Sequence, residues 1–162
     1  MGRFFVWCNF FGEVMIVWID NDGCPKKIRE MVFKRCMQKR FLVKCVANRY
    51  SPNPPGGLIE MIVSSSDFDA SDQYIVDHVS PEDIVITNDV LLADLIVSSG
   101  AVAVSPFGRL FDASSIKEQL MMRNLNNEMR SAGVVTGRQT GFSPKDVQKF
   151  ANVFDRLIQE KN

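Results

Sequence analysis

The chain has 162 residues, of which 46% are apolar, enough for about one domain to bury a real core. No run is long or apolar enough to span a membrane. Net charge is zero, from 19 basic and 19 acidic side chains, so no strong overall charge of either sign marks the partner.

The charges are nevertheless segregated. Residues 1–49 carry 10 Lys and Arg against 4 Asp and Glu, residues 50–108 carry 9 acids and no Lys or Arg, and residues 109–162 carry 9 basic groups against 6 acids. Such an acidic middle fits a cation-binding site with basic surface nearby for an anionic partner; uneven helix faces are the equal alternative. Cys8, Cys24, Cys36 and Cys45 form no C-x-x-C pair and no zinc spacing with His78. Reduced thiols in a cytoplasmic protein are therefore expected. Residues 1–14 are apolar but lack a small-residue cleavage site, so they read as an extension before the folded part or as a misassigned start.

The first strong element is Met15 to Ile19, an apolar run that reads as a buried strand. It ends in Asp20 and Asp22, and Gly23, Cys24 and Pro25 break it, with Pro25 suited to open a helix. Lys26 to Arg40 reads as that helix, with Ile28, Met31, Val32 and Cys36 on one face and Lys27, Lys34, Arg35 and Lys39 on the other. Phe41 to Asn48 is a second strand. Three prolines and two glycines make Arg49 to Gly57 a loop, and Leu58 to Val63 is a third strand. Asp69 or Ser71 is expected to cap a short helix running to Val79 and carrying Asp72 and His78.

Asp83 to Thr87 is a fourth strand, followed at once by Asn88 and Asp89. Val90 to Ser99 is a helix closed by Gly100, and Ala101 to Ser105 is a fifth strand. Two helices follow, Ser114 to Ala132 and one capped by Ser143 with Pro144 in its first turn. The last carries an apolar stripe that must dock on the body of the protein. Alternating strands and helices predict an α/β fold, a Rossmann-like parallel sheet covered on both faces.

In a doubly wound sheet of order 3-2-1-4-5, the first and fourth strands are neighbours whose connections leave to opposite faces, and a crevice opens between them. Asp20, Asp22 and Asp89 end those strands, and Asp72 can reach the same crevice from its helix. Carboxylates gathered there repel one another unless a divalent cation sits between them, and hard oxygen ligands suit Mg²⁺ or Mn²⁺. Strand-end Asp residues are also ordinary turn and cap formers, and Asp22 alone fits that role at least as well. Asp69 and Asp94 are read as a cap and a solvated helix residue. Cys24 stands at a helix start, where a thiolate is favoured, but no His is placed to assist it. Arg123 and Arg130, seven apart on one helix, share a face that suits phosphate as well as surface ion pairs.

IDNDGCPK, the VAN run ending at Asn48, DFDASDQYIV, DIVITNDVLLA and the R-N-L-x-x-E-M-R-x-x-G pattern from Arg123 resemble the YaiI/YqxD family from Met15 nearly to the end. That family is similar to PIN-like domains, many of them metal-dependent ribonucleases with an acidic site on a Rossmann-like sheet. The resemblance implies one PIN-like domain over residues 15–162, with 113–162 a helical extension packed on it. It implies a divalent-metal-dependent nuclease acting on RNA, with Asp20, Asp72 and Asp89 catalytic and metal-holding and Asp22 beside them. Asn48, Thr87, Arg123 and Arg130 would bind phosphate or nucleic acid. Two positions depart from the family pattern: Asn21, where a small residue is usual, and Gly137-Arg138-Gln139, where a Gly-Gly-Pro-like turn is usual.

Two other functions stay open. One is a non-catalytic nucleotide- or RNA-binding module. The other is a haloacid-dehalogenase-type phosphatase, whose D-x-D and D-x4-D motifs are similar to Asp20-Asn21-Asp22 and to Asp89 with Asp94. The second lacks the lysine such a phosphatase needs, since no Lys or Arg lies between Arg49 and Arg109. Oligomeric state is left open by the sequence.

Overall fold

A computed structural model of the chain describes residues 14–54, 56–67, 69–133 and 142–161. The segment before Val14 and the turn at Gly137-Arg138-Gln139 lie outside the described residues.

Five strands form one parallel sheet in the order β3-β2-β1-β4-β5: β1 Ile16–Asp20, β2 Leu42–Ala47, β3 Ile59–Val63, β4 Ile84–Ile86 and β5 Val102–Val104. The helices are α1 Lys26–Lys39, α2 Ala70–His78, α3 Val90–Ser98, α4 Ala113–Ser131 and α5 Pro144–Glu160. The predicted α/β class and strand order are both present. Observed ends differ from the sequence-based ones by a residue or two, as cap geometry decides them. Among the described residues no helix is long and apolar enough to cross a membrane.

Alternation along each strand divides the core into two layers. Val17 and Ile19 of β1 face one way, with Val43, Cys45, Ile84, Ile86 and Val104; there they meet Ile28, Val32 and Cys36 of α1 and Phe150, Phe154, Leu157 and Ile158 of α5. Trp18 faces the other way with Val46, Val85 and Ala103, against Ile75 of α2, Leu92, Ala93 and Ile96 of α3 and Ile116 of α4. The apolar stripe of the last helix thus covers the first layer together with α1. Its N-terminus carries a reciprocal capping box between Ser143 and Asp146, with Pro144 at the start.

The β1–β4 pair is pinned at its lower end by a buried carboxylate. Asp83 Oδ1 accepts from the Ile16 N–H at 2.9 Å, and Oδ2 accepts from the Trp18 indole at 3.0 Å and the Ser80 N–H at 2.9 Å. Three donors satisfy a group that would otherwise be costly to bury.

The docking of α5 depends on one glycine. Gly108 sits at φ +81° in a turn whose Phe107 and Arg109 N–H groups donate to Ser105 Oγ. A Cβ there would lie 2.8 Å from both the Lys149 carbonyl carbon and the Phe150 nitrogen. Gly108→Ala is therefore expected to cost about 2 kcal/mol or more, from left-handed strain together with displacement of α5. Urea unfolding of the variant against wild type checks this.

Candidate functional site

The strands all point their carboxyl ends to one edge of the sheet, and an open cleft of about 660 Å³ lies there. Asp20, Asp22, Asp67, Asp69, Asp72 and Asp89 line it, with Asn48, Ser71, Asn88 and Arg123. The position is the switch point of the sheet, where β1 and β4 run side by side and their following helices cover opposite faces.

Each acid is set by a different local device. Asp20 is the last residue of β1 and only 8% exposed. The Thr87 hydroxyl donates to its Oδ2 at 3.0 Å and itself accepts from the Asp89 N–H at 3.0 Å. One hydroxyl thereby couples the ends of β1 and β4. Asp22 lies in the 3-10 turn Asn21–Gly23, and its Oδ2 accepts from the Asn48 N–H at 3.2 Å, linking the ends of β1 and β2. The same turn is held from α1 by Arg29, which donates to Asn21 Oδ1 at 2.7 Å. Asp72 stands in the first turn of α2. Asp89 caps α3, its Oδ1 accepting from the Leu91 and Leu92 N–H groups, and Arg123 of α4 comes to 3.9 Å of the same oxygen.

These acids feel one another. Burial pushes the Asp20 carboxyl up to about 6; the Thr87 bond opposes this, and the charges of Asp22 and Asp89 add to it. Asp72 is pushed up to about 7, first by burial, then by the charges of Asp20, Asp89 and Asp69, with the nearness of the Asp89 carboxyl adding last. The charge of Asp89 therefore reaches both Asp20 and Asp72, and that of Asp20 reaches Asp72, within one cleft. Among the described residues, no three Asp, Glu, His or Cys side chains are drawn together as a finished metal cage.

The remaining predicted residues divide. Asn48 lines the cleft, and its Oδ1 accepts from Ser71 at 2.8 Å and Ser64 at 3.0 Å. Thr87 is fully buried and sits behind the wall, where it positions Asp20 and Asp89. Arg123 reaches the cleft, whereas Arg130 is exposed farther along α4 and does not line it. Asp94 lies on the exposed side of α3, outside the cleft, so the second acid of a D-x4-D motif is not brought to Asp20. Asp69 precedes α2 with φ +61° and makes no side-chain cap bond, contrary to the capping role expected for it; its carboxyl lines the cleft instead. Cys24 is buried, and burial pushes its thiol up to about 12, which removes the thiolate expected of a helix start. His78 stacks on Tyr74 at 4.1 Å, with Nδ1 2.8 Å from the Tyr74 carbonyl oxygen. Ser64 and Asp67 were not singled out from the sequence, and Ser71 only as a cap; it lies instead inside α2, with its hydroxyl against Ser64 and Asn48.

A family model described as "Uncharacterized BCR, YaiI/YqxD family" matches residues 18–160. The chain belongs to the YaiI/YqxD family. Its relatives include a UPF0178 protein of Maridesulfovibrio salexigens, 42% identical over 144 residues, which span 89% of this chain and 95% of the relative. Another, from Geobacter metallireducens, is 44% identical over 144 residues, 89% of this chain and 93% of its own. A third, from Shewanella baltica, is 42% identical over 142 residues, with coverage of 88% and 95%. No solved structure matches the chain.

The crowding of acids has a direct consequence for stability. Asp20 and Asp72 rise from 3.8 to about 6 and about 7, so between roughly pH 4 and pH 7 the folded state keeps protons the unfolded chain has released. Their contribution to stability is thus fully present below pH 4 and is lost as pH rises through 7. Asp72→Asn, which cannot ionise, is expected to raise Tm at pH 8, with the gain shrinking toward zero near pH 4. Thermal unfolding of both proteins across that range, without divalent cations, measures it.

Proposed function

We propose that the protein is a divalent-metal-dependent phosphodiesterase acting on nucleic acid, RNA foremost, as PIN-like enzymes do. The observation that carries this reading is the arrival of Asp20, Asp72 and Asp89, distant in sequence, at one cleft, where the charge of Asp89 disfavours ionisation of Asp20 and the charges of both disfavour that of Asp72. The donor chemistry fits the ion: the cleft walls offer carboxylate, amide and hydroxyl oxygens, a set that suits Mg²⁺ or Mn²⁺. Asp20, Asp72 and Asp89, with Asp22 beside them, would hold it. When bound, such an ion supplies an activated water and stabilises charge on a phosphoryl group.

The chain's own groups do the rest. The Thr87 hydroxyl fixes which way Asp20 turns and ties Asp89 to it. Asn48 is held by its own backbone N–H and by two serine hydroxyls, which leaves its amide N–H₂ as the end able to meet a phosphate or ribose oxygen. Arg123 brings the cleft wall a guanidinium able to grip a phosphate in two places.

A second reading, a non-catalytic nucleotide- or RNA-binding module, is favoured by one detail. Asp89 Oδ1 already serves two backbone N–H groups and faces Arg123, so its capacity for a metal is partly spent. A module of this kind binds RNA with salt dependence and no turnover.

Incubating purified protein with an end-labelled RNA oligomer in Mn²⁺ or Mg²⁺, against EDTA, separates the two. Cleavage is expected with metal and is abolished in EDTA and in Asp20→Asn. Thr87→Val, which touches only the support of the acids, is expected to lose roughly 10–100-fold. Wild-type protein inert with both metals, or Asp20→Asn cleaving at the wild-type rate, overturns the nuclease reading.

A further inference from the structure

The charge segregation leaves the acidic cleft with few cations, and their placement is specific. No Lys or Arg lies between Arg49 and Arg109. On the β4 side the guanidinium that reaches the wall is Arg123. On the β2 side the chain turns at Asn48, which lines the cleft, and continues at once into Arg49 and Tyr50. Tyr50 is 75% exposed, the most exposed of the large apolar side chains among the described residues. Arg49 is also exposed and forms no ion pair among them.

An aromatic ring left in water next to a cation, two residues from a cleft wall, has two physical readings. As a structural residue it would bury its ring, as Trp18 does in the core and Tyr74 does in part against it. Tyr50 leaves three quarters of its surface in water, at 75% exposed. Its Cα lies within about 7 Å of that of Asn48, by chain length alone. The hydrogen bond from the Asn48 N–H to Asp22 and those from two serines to its amide fix the point from which the Arg49-Tyr50 step departs. Tyr50 is therefore exposed two residues from a fixed point of the cleft wall.

We propose that Tyr50 is a stacking platform for an unpaired nucleobase, with Arg49 contacting the adjoining phosphate, and that it selects single-stranded over duplex nucleic acid. In a duplex both faces of each base are covered by neighbours, so a rim tyrosine has nothing to stack on; in a single strand they are free. Strands β2 and β4 are two places apart in the sheet, about 10 Å. A strand held at Arg49-Tyr50 and at Arg123 thus crosses the cleft over the acids at the span of a few nucleotides. The remaining described wall residues are carboxylates, amides, hydroxyls, Gly23 and Val90, none of which offers an aromatic face for a base to stack on. The platform rests on the nucleic-acid reading above and names the form of substrate it takes.

The test is binding, not cleavage, with the full chain in Ca²⁺ to screen the acids. Three fluorescein-labelled probes are used: an eight-nucleotide oligouridylate, an eight-base-pair RNA duplex, and an abasic strand of equal length. Wild type is expected to bind oligouridylate best. Tyr50→Ala should weaken that binding about tenfold while leaving the abasic strand unchanged, and Tyr50→Trp should restore it with quenched indole emission. Because the side chain is exposed, unchanged Tm of Tyr50→Ala accompanies this result. Equal oligouridylate affinity of Tyr50→Ala and wild type overturns the platform and leaves the nuclease reading standing. Tyr50-dependent binding without cleavage in Mn²⁺ sustains the platform and removes the nuclease. Wild type that binds none of the three probes overturns the platform together with the nucleic-acid reading.

Discussion

The structure hinges on the junction of β1 and β4. These two strands are neighbours in space but are separated in sequence by two strands and two helices, and little local propensity brings them together. Two polar groups clamp the pair. At one end the buried Asp83 carboxylate takes N–H donors from Ile16, Trp18 and Ser80. At the other, the Thr87 hydroxyl donates to Asp20 and accepts from the Asp89 N–H. Both are satisfied inside the protein, where an unpaired partner would carry a desolvation cost of about 1–3 kcal/mol. A register slip would leave several of these groups without partners, so the clamps specify the pairing as well as stabilise it.

The upper clamp also explains how crowded acids are tolerated. Asp20, Asp72 and Asp89 meet where an apolar sheet ends, and burial and mutual repulsion raise the first two. Left alone, such a group would turn outward to solvent. Thr87 prevents this for Asp20, the start of α3 for Asp89, and the seat of Asp72 in the first turn of α2 for the third. Two apolar layers beneath absorb the cost: α1 and α5 on one face, α2, α3 and α4 on the other. An arrangement unfavourable in isolation and held by this much surrounding structure is how functional sites are commonly built.

Much of this was legible in the sequence, for a reason particular to this fold. Each strand is a short apolar run ending in a polar residue, so both its existence and its direction could be read, and the alternation with helices implied the parallel order. Asp20 and Asp89 followed because they are those polar ends. Side-chain direction at bends did not follow. Asp69 looked like a cap, but its left-handed backbone takes the carboxyl into the cleft instead. Thr87 looked like a wall residue and lies behind the wall. The Ser64–Ser71–Asn48 cluster joins the ends of β2 and β3 to the first turn of α2, a long-range contact with no local signature. Helical period placed Arg123 and Arg130 on one face, yet period says nothing about where a neighbouring element stops, and only Arg123 meets the cleft.

The segregation of charge in the sequence can now be weighed against chance. Of the acids between residues 50 and 108, Asp67, Asp69, Asp72 and Asp89 line the cleft, and Asp83 is the lower clamp. Glu60 and Glu82 instead pair across the surface with Lys44 and Lys161, at 3.9 and 3.0 Å. About half of the acidic stretch is therefore committed to one edge of the sheet. Exclusion of Lys and Arg from the same stretch keeps basic side chains out of the loop and the first turn of α2 that carry Asp67, Asp69 and Asp72, where a lysine would neutralise Asp20 or Asp72 at close range. Among the described residues, the guanidinium that does reach the wall comes from α4, far along the chain, and stands 3.9 Å from Asp89, a loose ion pair across part-exposed groups. The sequence thus concentrates negative charge where the strands end and, among the described residues, brings a guanidinium to the wall only from α4.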